Sequence, residues 1–443
     1  MNEKQALEYI DSIKGMGIVP GLDSIRELCR RLDNPQNNLK FIHVAGTNGK
    51  GSVSSYIASA LRSGGYRVGR YISPVIFSYR ERIQVNDKNI SAAALGRLME
   101  QVKEACDEMC SRGMPQPTPF EVETALGFLY FKEQKCDIVV LETGMGGSFD
   151  ATNLVNTTVL AVLVSISMDH MQFLGKTLKE IATHKAGIMK PGCRVVSILQ
   201  EPEVMQVIER KAEEVGCRLS VMKPDNISHV KYGLSVQRFS YGGYRDLEIT
   251  LAGKYQIENA ALAVEALKVL EECGFPVKED KLRQGLAKTG WPGRFTVIGK
   301  KPYFIVDGAH NEDAAKRLAE SIRFYFTNKR IIYIMGVLKD KEHEKIIDLT
   351  HSLADQIITV TTPDNPRAMP AYELAKEIAE VHPGVTAVDS LEEAVEMAEL
   401  LAGKDDCIIA FGSLSFMGRL MEIVQKTMET GKTAGDNKRR KRN

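Results

Sequence analysis

Residues 41–65 read FIHVAGTNGKGSVSSYIASALRSGG. A strand-like apolar run, Phe41 to Ala45, breaks into Gly46-Thr47-Asn48-Gly49-Lys50-Gly51-Ser52. A helical pattern follows, with Val53, Ile57, Ala60 and Leu61 on one face, until Gly64-Gly65 ends it. In a strand, glycine loop and helix of this kind no Cβ obstructs the turn, so successive N–H groups and the positive end of the helix converge on phosphate oxygens. Lys50 adds a mobile positive charge and Ser52 a hydroxyl able to reach a phosphate-bound Mg²⁺. The spacing is not the common Walker A one, because only Thr47 and Asn48 separate Gly46 from Gly49 and Gly51 stands between Lys50 and Ser52. The plain alternative is a tight turn carrying a solvated lysine.

Upstream, residues 3–14 and 22–33 have helical patterns that deliver the chain to this loop. Downstream, Tyr66 to Ile72 reads as a second strand ending at Ser73-Pro74, and the segment from Val75 to Ser91 is expected to be a mobile, functional loop with a turn at Asn86-Asp87. Helices are expected from Ala92 to Cys110 and from about Phe120. Asp137 to Leu141 is a short apolar run of the type buried in parallel sheets, and it delivers Glu142 and then Gly144-Met145-Gly146-Gly147. A carboxylate at the carboxyl end of such a strand stands where ligands gather in a doubly wound sheet, and it suits Mg²⁺. Another apolar strand, Thr158 to Ile166, ends in Ser167-Met168-Asp169-His170, which makes His170 a candidate metal or phosphate partner. Strands near Tyr303, Ile331, Ile357 and Ile408 alternate with helices and predict a second parallel sheet, with Asp307, Gly336 and Gly412 following strand ends on one rim.

A chain of 443 residues sets two or three domains as the expectation. Fifty-eight Lys and Arg face 57 Asp and Glu, and the last twelve residues alone hold six of the bases and one acid, so the body is mildly acidic. That charge gives no case for nucleic acid, and Lys438 to Arg442 reads as a solvated tail. The eight cysteines form no CxxC pair and no zinc-type spacing, as in reduced cytosolic chains. The start, MNEKQALEYIDSIK, is a polar amphipathic helix and not a signal peptide, and the longest purely apolar run, Val159 to Val164, is too short to cross a bilayer. No membrane role and a cytoplasmic location are expected.

GTNGKGS, Ser73-Pro74, ETGMGGSFDATN (Glu142 to Asn153), SMDHMQFLGKT (Ser167 to Thr177) and KAGIMKPG (Lys185 to Gly192) resemble the Mur ligase superfamily, and within it folylpolyglutamate synthase/dihydrofolate synthase. Gln256-Ile257-Glu258-Asn259-Ala260, Trp291 to Arg294, Asp307 to Asn311, Asp340-Lys341 and Gly412-Ser413-Leu414 agree in the same order. The resemblance runs from about residue 3 to 425. It implies an α/β chain with an N-terminal P-loop, Mur-ligase-type ATP-binding domain over 1–293 and a smaller C-terminal doubly wound, Rossmann-like α/β domain over 294–428. A basic disordered tail, 429–443, would follow. ATP would lie between the domains.

By the same resemblance, Asn48, Gly49, Lys50, Gly51 and Ser52 would hold the triphosphate, and Asn259, Arg294 and Asp307 would reach the nucleotide. Ser52, Ser73, Glu142 and His170 would hold Mg²⁺. Lys185 matches a lysine that the family carbamylates with CO₂, which needs an amine kept neutral by burial or by nearby positive charge. Lys50, Lys185, Arg294 and His310 would serve catalysis, while Ser73, Pro74, Asp150, His310 and Ser413 would meet the substrates. The implied activity is ATP-dependent addition of L-glutamate to a folate, to dihydropteroate, or to both, through an acyl phosphate, by a monomer.

Four positions depart from the family's pattern. Val75 stands where SPH would supply histidine, Ser148 where GGR would supply arginine, Tyr255 where histidine precedes Gln256, and His184 where glutamate precedes the lysine. Two other functions compete. A UDP-muramoyl peptide ligase would share the chemistry, but the glycine before Ser52 and the expectation of no separate UDP-binding domain ahead of Phe41 disfavour it. A P-loop ATPase with a switching role would release phosphate without an amide product, and the non-Walker spacing with the paired Glu142 and His170 speaks against that.

Overall fold

Short runs that are apolar on both faces are stable only in a sheet covered on both sides. The computed structural model describes residues 1–17, 19 and 21–440, with side chains for all of these except 16 and 430–440, and it places the runs in such sheets. Strands β1 (Phe41–Ala45), β2 (Val68–Tyr71), β3 (Ile83–Val85), β4 (Lys88–Asn89), β5 (Ile138–Glu142), β6 (Thr158–Leu163), β7 (Arg194–Ile198) and β8 (Arg218–Met222) form one sheet. Its order is β4-β3-β2-β5-β1-β6-β7-β8, parallel from β2 to β8 with β3 and β4 antiparallel at one edge. From β1 the chain builds β2 and β5 on one side and then crosses to β6 on the other. The order therefore reverses beside β1, and the loop leaving β1 opens at the switch point where doubly wound sheets take ligands.

Every residue of β1 and β5 is buried. Helices with well-made starts cover the sheet. Pro119–Glu133 begins at a Thr118/Glu121 capping box and Leu178–Ala186 at a Thr177/Glu180 box. Phe41, Tyr71, Phe128 and Phe131 share one core cluster. A small sheet, β9 (Ser228–Lys231), β10 (Gln237–Tyr241) and β11 (Tyr244–Ile249), follows in the order β11-β10-β9.

The second large sheet contains β12 (Thr296–Lys300), β13 (Tyr303–Asp307), β14 (Ile331–Met335), β15 (Gln356–Thr359), β16 (Val385–Ala387) and β17 (Cys407–Phe411), ordered β12-β13-β17-β14-β15-β16. Phe295, Tyr333 and Phe411 belong to its core. Asp307, Phe411 and Met335 lie level across β13, β17 and β14, so Asp307, Gly336 and Gly412 share a rim as their positions after apolar runs predict. The chain divides into two units. One holds 1–231, 238–250 and 257–289, and the other 232–237, 251–256 and 290–443.

Three expectations are corrected. The second sheet is mixed, because β12 runs antiparallel to β13 at its edge. Residues 75–91 are not a plain loop: a 3₁₀ turn, Tyr79–Arg82, leads into β3 and β4, and the Glu81 carboxylate accepts the N–H groups of Ile76 and Phe77 at 3.0 and 3.2 Å. The helix Lys50–Ser63 is buried all round from Gly51 to Leu61, not on one face. Its serines make this possible, since Ser59 Oγ donates to Gly285 O at 2.8 Å and Ser55 Oγ accepts from Arg70 Nη1 at 2.7 Å. A final helix spans Met417–Arg440, and the basic tail expected from 429 lies, apart from its first residue, outside the residues whose side chains are described. Among the described residues no helix is long and apolar enough to cross a membrane.

Candidate active site

In the first unit the loop after β1 is held by its own glycines and by the loop after β6. Gly46 and Gly49 have φ of 153° and 94°, where side chains are disfavoured. A Cβ on Gly46 would meet Val164 Cγ2 at 2.1 Å, and one on Gly49 would meet Asn259 Oδ1 at 2.7 Å. Thr47 N–H donates to Ser165 O at 2.7 Å, Thr47 Oγ1 donates to Ser167 O at 3.0 Å, and Ser167 N–H donates back to Thr47 Oγ1 at 3.0 Å. Asn48 bridges to Ser165 in the same place. The expected phosphate loop is thus a fixed turn with Asn259 laid against it, entering a helix whose Ser52 is buried in the first turn.

Two ammonium groups meet on one carbonyl of this turn. Lys50 Nζ donates to Gly46 O at 3.1 Å and to Thr47 O at 3.2 Å, and Lys185 Nζ donates to the same Gly46 O at 2.7 Å. Lys185 is only 3% exposed. Burial, and after it the Lys50 charge, pull its pKa from 10.5 down to about 7, while Asp169 and Asp150 oppose the fall. Lys185 is therefore close to half neutral at neutral pH.

Glu142 ends β5 level with Val44 of β1, and it is 3% exposed. Burial lowers the nearby Arg70 guanidinium from its ordinary value, and the carboxylates of Asp87 and Glu142 push the other way. Ser73 follows β2 at the same end of the sheet, one residue beyond Ile72, with Pro74 after it. His170 lies apart from this buried group in character. It is an exposed residue at φ 51° whose N–H donates to Asp169 Oδ1 at 2.8 Å and whose ring stands 3.7 Å from Asp169 Oδ2. Among the described residues no three His, Cys, Asp or Glu side chains converge as a metal cage.

Asp150 is buried and pins its own loop. Oδ2 accepts Met145 N–H at 2.8 Å and Oδ1 accepts Thr152 N–H at 3.0 Å, with Thr152 Oγ1 on the same oxygen. Burial raises its carboxyl above the ordinary value against these bonds. His43, on β1, stands 2.9 Å from Thr152 Oγ1 and is wholly buried, which pushes its ring down to about 3. Two of the departing positions touch here: Ser148 N–H and Oγ both donate to His184 O, at 2.8 and 3.2 Å.

The second unit gathers the remaining candidates at the end of β13. Asp307 is 4% exposed and accepts three donors: Tyr255 O–H at 2.9 Å and Phe295 N–H at 2.8 Å on Oδ2, and Ala309 N–H at 2.8 Å on Oδ1. Burial raises its carboxyl, and Arg294 opposes the rise. Arg294 Nη1 donates to Gly308 O at 3.4 Å, and His310 Nδ1 donates to the same oxygen at 2.7 Å. Leu414, next to Ser413, packs where a Cβ on Gly308 would sit, 2.3 Å from Leu414 Cδ2. Arg294, Asp307 and His310 thus meet around Gly308, with Ser413 in the next turn.

Sequence reasoning gave no role to Asp169, Thr47 or Arg70. A carboxylate beside a candidate histidine at a strand end was the available signal for Asp169; Thr47 and Arg70 carry none, because their partners lie 120 and 15 residues away.

The Mur ligase middle domain matches residues 44–267, and the Mur ligase glutamate ligase domain matches residues 293–414. A dihydrofolate synthase/folylpolyglutamate synthase of Bacillus subtilis is 36% identical over 423 residues, 94% of this chain and 97% of that one. Among solved structures, a folylpolyglutamate synthase of Mycobacterium tuberculosis complexed with ADP and AMPPCP aligns with a TM-score of 0.85 at 29% identity, covering 94% of this chain and 98% of that one. An Escherichia coli protein in complex with DHPP and ADP aligns with a TM-score of 0.85 at 28% identity, covering 97% and 99%. The glycine loop at the switch point, the lysine pair on its carbonyl and matches over both sheets lead to one conclusion: the chain belongs to the Mur ligase family, among its dihydrofolate synthase/folylpolyglutamate synthase members.

Proposed function

We propose that this chain is an ATP-dependent ligase of folate metabolism that joins L-glutamate to dihydropteroate and to folates already carrying glutamate. The observation that carries the reading is the meeting of Lys50 and Lys185 on the Gly46 carbonyl, at the mouth of a phosphate-type loop. A nucleotide switch has no evident use for that second, buried lysine.

A carboxylate is a poor acyl donor at neutral pH. The acceptor's carboxylate first attacks the γ-phosphorus of ATP, an O–P bond forms, and ADP leaves. The glutamate amine, having lost a proton, attacks the acyl phosphate carbonyl, and the tetrahedral intermediate collapses with loss of phosphate. Backbone N–H groups of Gly49 to Ser52 and the ammonium of Lys50 hold the phosphates, with Lys50 passing from the loop carbonyls to phosphoryl oxygens. Positioning and charge stabilisation carry most of the acceleration. Arg294, Asp307 and Asn259 bind nucleotide. His310, whose Nδ1 donates to Gly308 O, is suited with Ser413 to the glutamate.

The chemistry of the donors suits Mg²⁺: the buried Glu142 carboxylate and Ser52 hydroxyl would hold it, with the Ser73 hydroxyl and the His170 imidazole as further candidates. It would supply positive charge to the phosphoryl oxygens. Lys185 is suited to carbamylation because its neutral amine is abundant near pH 7. The ammonium loses one proton, the neutral amine attacks CO₂, a C–N bond forms as one C–O π bond opens to O⁻, and the nitrogen gives up a second proton, so that a buried cation becomes an anion. The cytoplasm is the compartment proposed.

Incubation with MgATP and glutamate, plus dihydropteroate, tetrahydrofolate or a UDP-muramoyl peptide, tests the reading through ADP release. Release is expected with the two pteridine acceptors. Release with the muramoyl peptide alone, or without regard to acceptor, would overturn it.

A further inference from the structure

Tyr255 opens the helix Tyr255–Glu272. Its hydroxyl donates to Asp307 Oδ2 at 2.9 Å, and that oxygen also takes the N–H of Phe295 at 2.8 Å. Phe295 has a φ of 45°, unfavourable for a bulky residue, so its amide reaches the carboxylate only because the turn is fastened. Gly308 N–H donating to Gly293 O at 2.8 Å does part of that fastening. Oδ1 is turned toward Ala309 N–H, at 2.8 Å. The two amides constrain one edge of the carboxyl group each, and the phenol is the side-chain donor that locks its rotation. The charged groups that face the phenol are Asp307, Arg294 and Arg317.

We infer that Tyr255 is a positioning residue for nucleotide binding: it sets the orientation of the Asp307 carboxyl, and as a phenol it stays a hydrogen-bond donor to that carboxyl across the neutral range. The inference rests on the reading that Asp307 binds nucleotide. A phenol is an O–H donor throughout that range, and burial here pushes its ionisation still higher. An imidazole, with an ordinary pKa of about 6.5, would change its charge and its donor set within the same range. Losing a hydrogen bond to a charged group is worth about 1.5 kcal/mol, or roughly tenfold in affinity.

Steady-state kinetics against ATP, from acid to alkaline pH, separate the possibilities for wild type, Tyr255→Phe, Tyr255→His and Asp307→Asn. Tyr255→Phe should raise KM for ATP roughly tenfold and leave kcat within about twofold. The ratio of Tyr255→His to wild type in kcat/KM for ATP, which cancels the ionisations of ATP and Lys185, should follow a single titration that Tyr255→Phe lacks. An unchanged KM in Tyr255→Phe beside a raised KM in Asp307→Asn would overturn the role of Tyr255 alone, and a pH-independent Tyr255→His ratio would overturn the pH claim. An unchanged KM in Asp307→Asn would remove the nucleotide reading of Asp307 itself. Should Tyr255→Phe not fold, the Tyr255→His ratio decides, because a residue that served only as structure would give no titration in ATP affinity.

Discussion

After β1 the first unit gathers two ammonium groups on the carbonyl of Gly46, whereas after β13 the second unit gathers three donors on the carboxylate of Asp307. Both regions bury charge at a strand end, but with opposite sign and different means. Burial first, and then the Lys50 charge that a shared carbonyl cannot neutralise, bring the pKa of Lys185 down to about 7. Asp307 meets two amides, a phenol and the field of Arg294, which work against the rise that burial imposes. The first region is poised to change charge near neutrality. The second is built to hold one arrangement.

Several variants would break or sharpen that contrast. The largest effect is expected for Lys50→Ala. Removing the mobile cation should cost roughly 10³ in kcat, in line with the loss of a preorganised charge stabiliser, while the unfolding transition stays within about 0.5 kcal/mol of wild type. A variant that also unfolds would show that Lys50 braces the loop and does not serve the phosphates. Lys185→Ala should lose roughly 10².

Lys50→Met tests the coupling between the two lysines. With the neighbouring charge gone, the Lys185 titration should move upward from about 7. Carbon-13 NMR of protein equilibrated with labelled bicarbonate reads it, since a carbamate forms only on the neutral amine and should in wild type grow as pH rises through 7. A carbamate signal with the same pH midpoint in both proteins would dissolve the paired-cation account.

Beneath the glycine loop, His43 supplies the smallest effect. Its ring is held near 3 in the folded chain against about 6.5 when unfolded, so the unfolded state binds the extra proton between those values. The stability due to the neutral ring is complete above pH 6.5 and is lost as pH falls toward 3. Thermal melts across that interval should be flatter for His43→Asn than for wild type, and identical slopes would show that His43 does not set the acid limit.

The first region was legible in the sequence because its function is local. GTNGKGS places strand, turn and helix within a dozen residues, and the turn itself takes φ of 153° at Gly46 and 94° at Gly49, where glycine is favoured. Glu142 was legible for a similar reason, as the residue that ends an apolar run. What the sequence concealed depends on distant partners. Lys185 reaches Gly46 across 139 residues, and an ordinary helix lysine has the same local signature. Tyr255 looked like a departure, yet its hydroxyl sits on Asp307, 52 residues away. The antiparallel edge strand β12 was missed because Thr296 to Lys300 is only half-buried, so it lacks the apolar run that marked its neighbours. Asp150 was read as a substrate residue; its bonds to Met145 and Thr152 give it a loop-pinning use that no motif announces.

The most direct test of the account follows oxygen atoms. Dihydropteroate carrying oxygen-18 in its carboxylate is turned over with MgATP and glutamate, and the released phosphate is examined by mass spectrometry. Activation of the acid by the γ-phosphate predicts one labelled oxygen in each phosphate for each amide bond formed. Amide formed with unlabelled phosphate would contradict it.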